Sequence, residues 1–383
     1  MNNFTFYCPT KFVFGKDQEQ NAGTLCREQG ATKALLVYGG GSVVKSGLLA
    51  RVKGYLEEAG IPAVEFGGAQ PNPRVEHVRK GIEIVKREGI DFLLAIGGGS
   101  VIDTAKGIGI GALYDGDVWD YFLRTKNPTV MMPVGCILTI AAAGSEGSSS
   151  CVLNNEALGV KSACNHDCMR PRFAIMNPEL TYSLPAYQTA CGVVDIMMHT
   201  HERYFTPVQD NELTDEFCEG LLRTMIKLGP KAITEPTNYN VRAQIMWTGM
   251  MSHNNTVGVG RIQDSACHRI QVMIGAKYDS AHGAGLATVC PAWMKYVYRD
   301  HMPRFLRYAI KVWGVDYNPY DPESTVLEAI RRLKEFNRSL GMPVTLEELG
   351  VKDEDIAELS QINVGNMHPL KPEDIQQIYE LMR

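Results

Sequence analysis

No uninterrupted apolar stretch in this chain is long enough to span a membrane, and its start, Met1-Asn-Asn-Phe-Thr-Phe-Tyr7, has no basic segment leading into an apolar run. Neither a membrane anchor nor a signal peptide is expected, so the expected location is cytoplasmic. A basic surface is missing too: the formal net charge is −5. That leaves no electrostatic footprint for nucleic acid. There is no low-complexity tract and no obvious internal repeat. No Gly-x-Ser-x-Gly elbow offers a nucleophile for acyl transfer, and no glycine turn ends in the Gly-Lys-Ser/Thr of a Walker A loop. The ten cysteines are scattered through the chain. Free thiols are expected rather than a disulfide framework. Cys164 and Cys168 bracket His166. That spacing lacks the paired knuckles of a structural zinc site and reads as a polar loop.

What is present is an ordinary soluble composition, 45% hydrophobic and 21% charged, over 383 residues. That length leaves room for two domains. In the first half, short apolar runs alternate with helical patterns. Lys33–Tyr38, Ile61–Phe66, Asp91–Ile96 and Val130–Gly135 read as strands, and Val75–Glu88 as a helix. Such alternation predicts a mostly parallel sheet covered on both faces. After Pro185 the period becomes helical, over about 187–206, 211–230, 240–257, 263–277, 285–298 and 324–340. The reading is an α/β domain over 1–185 that binds a dinucleotide and an all-α domain over 186–383 that binds a metal.

Two glycine turns mark the first domain. Gly97-Gly98-Gly99-Ser100 follows a buried strand and opens a helix that contains Asp103. Glycine lets the backbone approach phosphate, and N–H groups at a helix start favour its charge. The bland alternative, a tight turn without ligand, is weaker because three consecutive glycines cost conformational entropy. Gly39-Gly40-Gly41-Ser42 is a second such turn. An acidic residue there would hold a ribose 2′-hydroxyl and repel a 2′-phosphate. Glycine at position 39, with Ser42 and Lys45 nearby, favours NADP over NAD.

The second domain carries Asp195, His199, His268 and His282. Asp195 and His199 are one helical turn apart and share a face. Alone, that pair reads as an i,i+4 hydrogen bond. Apolar neighbours Val193, Val194, Ile196, Met197 and Met198 imply burial, where an unpaired charge is costly. Three imidazoles and one carboxylate suit Fe²⁺ or Zn²⁺. His201 falls about 240° round the helix from Asp195 and should face elsewhere. His253 reads as a buried hydrogen-bonding residue, with a place beside the pocket as the alternative.

In order along the chain, Pro9–Gly15, Gly39–Ser42, Pro71-Asn72-Pro73, Gly97–Asp103, Thr139–Glu146, Asn177–Pro185, the four metal positions and His282–Ala287 resemble the iron-containing alcohol dehydrogenase family, in its butanol-dehydrogenase-like, aldehyde-reducing branch. The resemblance covers nearly the whole chain. It implies a dehydroquinate-synthase-like architecture with the active site in the cleft between domains. It implies hydride transfer between NADP or NAD and a metal-held aldehyde or primary alcohol. It carries metal ligation onto Asp195, His199, His268 and His282. It carries cofactor contacts onto Gly39, Gly40, Ser42, Asn72, Gly98, Gly99, Ser100, Asp103, Thr139, Lys161, Thr181 and Leu184. The chain departs from the family pattern at Ser265 and Cys267, where Trp and Thr are usual, at Val272, where a pocket histidine is usual, and at Ala143, where threonine is usual. Those departures bear on substrate range and proton delivery. A lyase resembling dehydroquinate synthase, or a glycerol-dehydrogenase-like enzyme, is the alternative on the same fold. The lyase would need a basic phosphate cluster, and Val272, Met273 and Ile274 near the metal positions are apolar. A catalytically idle binding protein is a further alternative, against which the four intact ligands argue. A small-molecule substrate and a homodimer are expected. Thr5–Tyr7 and Lys11–Phe14 are expected as edge strands that pair across the dimer.

Overall fold

Six parallel strands build the sheet of the first half: β1 (Lys11–Phe14), β2 (Ala34–Tyr38), β3 (Ala63–Phe66), β4 (Phe92–Gly97), β5 (Val134–Leu138) and β8 (Phe173–Met176). Their order is β1-β8-β5-β4-β2-β3, and every neighbour pairs in parallel. The computed structural model describes all 383 residues. They divide into two units, one of Tyr7–Ser183, the other of Leu184–Arg383 joined by Met1–Phe6.

Strand β4 is buried along its whole length, as a central parallel strand must be when helices cover both faces. Leu36, Phe92, Leu94, Ile96, Ile137 and Ile175 pack with Ala22, Leu25, Val52 and Leu56 from the helices Ala22–Glu28 and Leu48–Glu58. Helices Val75–Glu88 and Gly99–Ala112 pack against each other closely enough to need glycine. A Cβ on Gly81 would lie 2.3 Å from Ile108, and one on Gly111 would lie 2.3 Å from Ile82.

Between β5 and β8 the chain forms an antiparallel hairpin, β6 (Ser150–Asn155) and β7 (Val160–Asn165). The helix Gly99–Ala112 holds it in place. Asp103 Oδ2 accepts from the Val152 N–H at 2.9 Å, and the buried Lys106 Nζ donates to the carbonyls of Ser148 (2.9 Å) and Ser150 (2.8 Å). All ten cysteines are free thiols, as expected.

Two sequence expectations need correction. Val130–Gly135 was expected as a strand, yet β5 begins only at Val134, because Pro133 has no N–H for the ladder. Lys11–Phe14 is an edge strand, as expected, with β8 on its inner side, whereas Thr5–Tyr7 forms no strand.

The second unit is helical apart from one isolated bridge, Val364 with Leu370. Its longer helices are Ala186–Tyr204, Glu212–Thr234, Tyr239–His253, Ala266–Tyr278, His282–Val297, Met302–Lys311, Pro322–Ser339 and Pro372–Glu380. Three of them carry the metal candidates.

Candidate metal centre and nucleotide-binding turns

Helix Ala186–Tyr204 starts after Pro185 and is buried from Gly192 to Tyr204. It presents Asp195 and His199 on one face. Two devices bring the other two histidines to that face. Asp264 accepts from the Ala266 N–H at the start of helix Ala266–Tyr278 at 2.6 Å, and its own N–H donates to the Glu202 carbonyl at 2.8 Å. This ties the start of helix Ala266–Tyr278 to the first helix. Its other oxygen takes the N–H groups of Asn366 and Met367. The second device is Gly283: a Cβ there would lie 2.3 Å from the Cys191 carbonyl oxygen. Only glycine allows the start of helix His282–Val297 to come that close, which brings His282 to Asp195.

Asp195 Oδ1 is the centre of the cluster. It lies 3.7 Å from His199 Nδ1, 3.5 Å from His268 Nε2 and 3.6 Å from His282 Nε2. The Asp195, His268 and His282 donor atoms all lie within 4.8 Å of one another. Asp195 Oδ1, His199 Nδ1 and His268 Nε2 are buried without hydrogen-bond partners. Such atoms cost about 1–3 kcal/mol each when left unsatisfied. A cation among them removes that cost. The three separations from Asp195 Oδ1, 3.5–3.7 Å, have the length of one edge of a tetrahedron with bonds of about 2.2 Å, close to the range for zinc with nitrogen and oxygen ligands. The donor set therefore fits a borderline divalent metal.

The electrostatics fit as well. Burial, then the charges of His253 and His268, push His199 well below its ordinary range, which favours the neutral ligand form. Burial alone would raise the Asp195 carboxyl, but His282 and His268 outweigh it and hold it low. Burial opposes charge on His268 too. There the carboxylates of Glu202 and Asp195 win and push the metal-free imidazole up to about 9. Metal binding would displace that proton.

His201, as expected, points away. Its Nε2 meets the Tyr308 hydroxyl at 3.0 Å, its Nδ1 lies 3.9 Å from Cys290 Sγ, and burial lowers its pKa to about 3. His253 takes the second of its two readings. Its ring stacks on His199 with centroids 4.0 Å apart, so it adjoins the cluster. Glu202 and Gln271 also touch the cluster, and the sequence reading passed over both. Glu202 could have been found, because it lies three residues past His199 and seven past Asp195 on the same helix face.

In the first unit the chain moves outward from β2 to β3 on one side and returns beside β2 as β4 on the other. Parallel sheets bind ligands outside the carboxyl ends of the strands at such a switch point. Gly39, Gly40 and Ser42 follow β2 there, while Gly98, Gly99 and Ser100 follow β4. Gly39 is adjacent to the second turn, since its Cβ would lie 3.7 Å from Val101. The second turn must be glycine for packing reasons too. A Cβ on Gly99 would lie 2.9 Å from Ala143, and one on Gly98 would lie 3.0 Å from Ile140. The first N–H groups of helix Gly99–Ala112 have no partner within the helix. Thr139 follows β5 and donates its N–H to the Gly97 carbonyl at 3.0 Å. Lys161 Nζ donates to Asn72 Oδ1 at 2.9 Å, and Asn72 holds a left-handed backbone, φ 55°. Asp103 and Thr181 use their polar atoms internally. Ser145 donates to Asp103 Oδ1 at 2.5 Å, and the Thr181 hydroxyl donates to the Pro178 carbonyl at 2.7 Å. Leu184 is half-buried at the start of the second unit.

A doubly covered parallel sheet with glycine turns at its switch point, in one chain with a three-histidine, one-carboxylate cluster centred on a buried Asp195, defines the class of metal-dependent, nucleotide-using enzymes. The chain belongs to the iron-containing alcohol dehydrogenase family, which matches residues 9–178, and whose C-terminal domain matches residues 189–382. It is 38% identical to NADH-dependent butanol dehydrogenase A of Clostridium acetobutylicum, over 99% of both chains. It is 36% identical to the NADPH-dependent aldehyde reductase YqhD of Escherichia coli, over 100% of both. The crystal structure of NADH-dependent butanol dehydrogenase A from Thermotoga maritima superposes with a TM-score of 0.97 at 36% identity, covering 100% of this chain and 99% of that one.

Proposed function

We propose that the protein is a metal-dependent, NAD(P)-linked alcohol dehydrogenase or aldehyde reductase that prefers NADP and acts on small aldehydes and primary alcohols. The observation that carries this reading is that Asp195 Oδ1, His199 Nδ1 and His268 Nε2 are buried without hydrogen-bond partners, with His282 Nε2 3.6 Å from the same carboxylate oxygen. Asp195, His199, His268 and His282 would hold Fe²⁺ or Zn²⁺. When bound, the metal supplies Lewis acidity towards the carbonyl oxygen, and the nicotinamide carries the hydride.

The chain's own groups do the rest. The Asp195 carboxylate and three imidazoles fix one charged centre inside apolar surroundings, where electrostatic interactions are least screened. His282 is the first residue of its helix, which sets its place beside Asp195. In residues 1–185, the two glycine turns and Thr139 would line the pyrophosphate, and Asn72 with Lys161 would meet the nicotinamide ribose. Asp103 and Thr181 would support that surface from behind. Glycine at position 39 supports NADP, because no carboxylate stands there to repel a 2′-phosphate. Relatives of both preferences bear similar identity, so the test is direct: rates of butanal reduction with NADPH and with NADH. A higher kcat/KM for NADPH is expected, and a higher one for NADH refutes the reading of Gly39.

A cytoplasmic homodimer completes the reading. Ten free thiols suit a reducing compartment. Phe4 and Phe6 expose about half their surface (51% and 48%), and β1 leaves one edge of the sheet uncovered. Light scattering that returned the mass of a single chain would refute the dimer.

A further inference from the structure

We propose that Glu202 and Gln271 are positioning residues that set which ring nitrogen His268 and His282 present to the metal. The inference rests on the metal reading above and deepens it. A neutral imidazole has one N–H and one lone pair, and an acceptor beside one nitrogen leaves the lone pair on the other. Both rings are arranged this way. His268 Nδ1 lies 2.8 Å from Glu202 Oε2, a close contact bent from the linear hydrogen-bond geometry, and its Nε2 faces Asp195. His282 Nδ1 lies 2.5 Å from Gln271 Oε1, and its Nε2 also faces Asp195.

Both acceptors are themselves held. Glu202 is buried, and its Oε1 accepts the His268 backbone N–H at 3.0 Å. One carboxylate thus grips the backbone and the ring of the same residue. Gln271 is 1% exposed and lies beneath two glycines. A Cβ on Gly285 would lie 2.7 Å from Gln271 Cγ, and one on Gly275 would lie 3.0 Å from its Nε2. Glycine at both positions leaves the amide only the space it occupies, with its oxygen on His282. The two acceptors differ in charge. Glu202 adds a negative charge beside the metal and raises the basicity of His268, whereas Gln271 orients His282 without adding charge.

The test uses wild-type protein, Glu202→Gln, Gln271→Leu and Gln271→Glu, each loaded anaerobically with Co²⁺. Two quantities are read: affinity by competition with a chelator, and the visible ligand-field absorption of the bound ion. Circular dichroism checks that each variant folds. Glu202→Gln and Gln271→Leu should lose about 10- to 100-fold in affinity and shift the Co²⁺ bands. Gln271→Glu keeps an acceptor oxygen and should stay within a few-fold of wild type. Wild-type affinity and spectrum in the first two variants would overturn the proposal. So would an equal loss in all three with unchanged bands, which would mark a packing role only. If wild-type protein itself takes up no Co²⁺, the metal reading fails and this inference falls with it.

Discussion

Raising the pH should selectively weaken the dinucleotide-binding unit, through Glu146. Burial pushes this carboxyl up to about 7 from an ordinary value of 4.5, although its own backbone N–H and Lys106 partly oppose the shift. Between those two values the folded protein keeps a proton that the unfolded chain has released. Stability from this group is therefore fully present below pH 4.5, declines as pH rises, and is gone above about 7. The window spans about 2.5 pH units at 1.36 kcal/mol each, or about 3 kcal/mol. His201 acts in the opposite direction in an overlapping range. It is buried neutral, so its contribution grows as pH rises from about 3 towards 6.5. The raw stability profile mixes the two, and the difference between wild type and Glu146→Gln isolates the first. Glutamine does not titrate and nearly matches the protonated side chain in shape. Three of the four tryptophans lie beyond residue 184, so fluorescence would report mainly on the other unit. Hydrogen exchange of peptides spanning residues 134–155, followed by mass spectrometry at matched pH, reads the correct unit. The variant should change little relative to wild type at pH 4.5 and gain protection equivalent to about 3 kcal/mol by pH 8. A difference that does not vary with pH would refute the argument.

Further outcomes follow from the geometry. Gly39→Asp should lower the NADPH-to-NADH ratio of kcat/KM by at least about tenfold. Its Cβ would lie 3.3 Å from the Ala69 carbonyl, a tight fit that the loop must yield slightly to admit, and an unchanged ratio would refute the cofactor reading. Gly283→Ala drives a Cβ into the Cys191 backbone and should destabilise the helical unit by about 1–3 kcal/mol while reducing metal content. Gly40→Ala, with nothing within 4 Å of the new atom, should leave melting temperature and metal content unchanged. His201→Ala should retain its bound metal, whereas His268→Ala should lose most of it. Equal loss by elemental analysis would contradict the helix-face assignment.

The sequence made some of this legible and left the rest hidden, for physical reasons. Strands β2 and β4 could be read because central parallel strands are continuous apolar runs ended by glycine turns. Asp195 and His199 could be paired because helical spacing is local, whereas His268 and His282 joined them on residue chemistry, with the family resemblance in support. The hairpin β6–β7 was not seen, because Ser150–Asn155 alternates weakly and is secured by Asp103 and Lys106, more than forty residues away. The pairing of β1 with β8, across about 160 residues, has no local signal. Gln271 was missed for the same reason. A polar residue on a buried helix shows its purpose only when the neighbouring helix is in place.

The most direct test of the metal assignment is metal content per chain after anaerobic loading with Fe²⁺ or Zn²⁺, measured with the rate of butanal reduction in wild type and in Asp195→Ala. One metal per chain in wild type, with metal and activity both lost in the variant and after chelation, is the expected result. Full activity in chelated, metal-free protein would contradict the assignment.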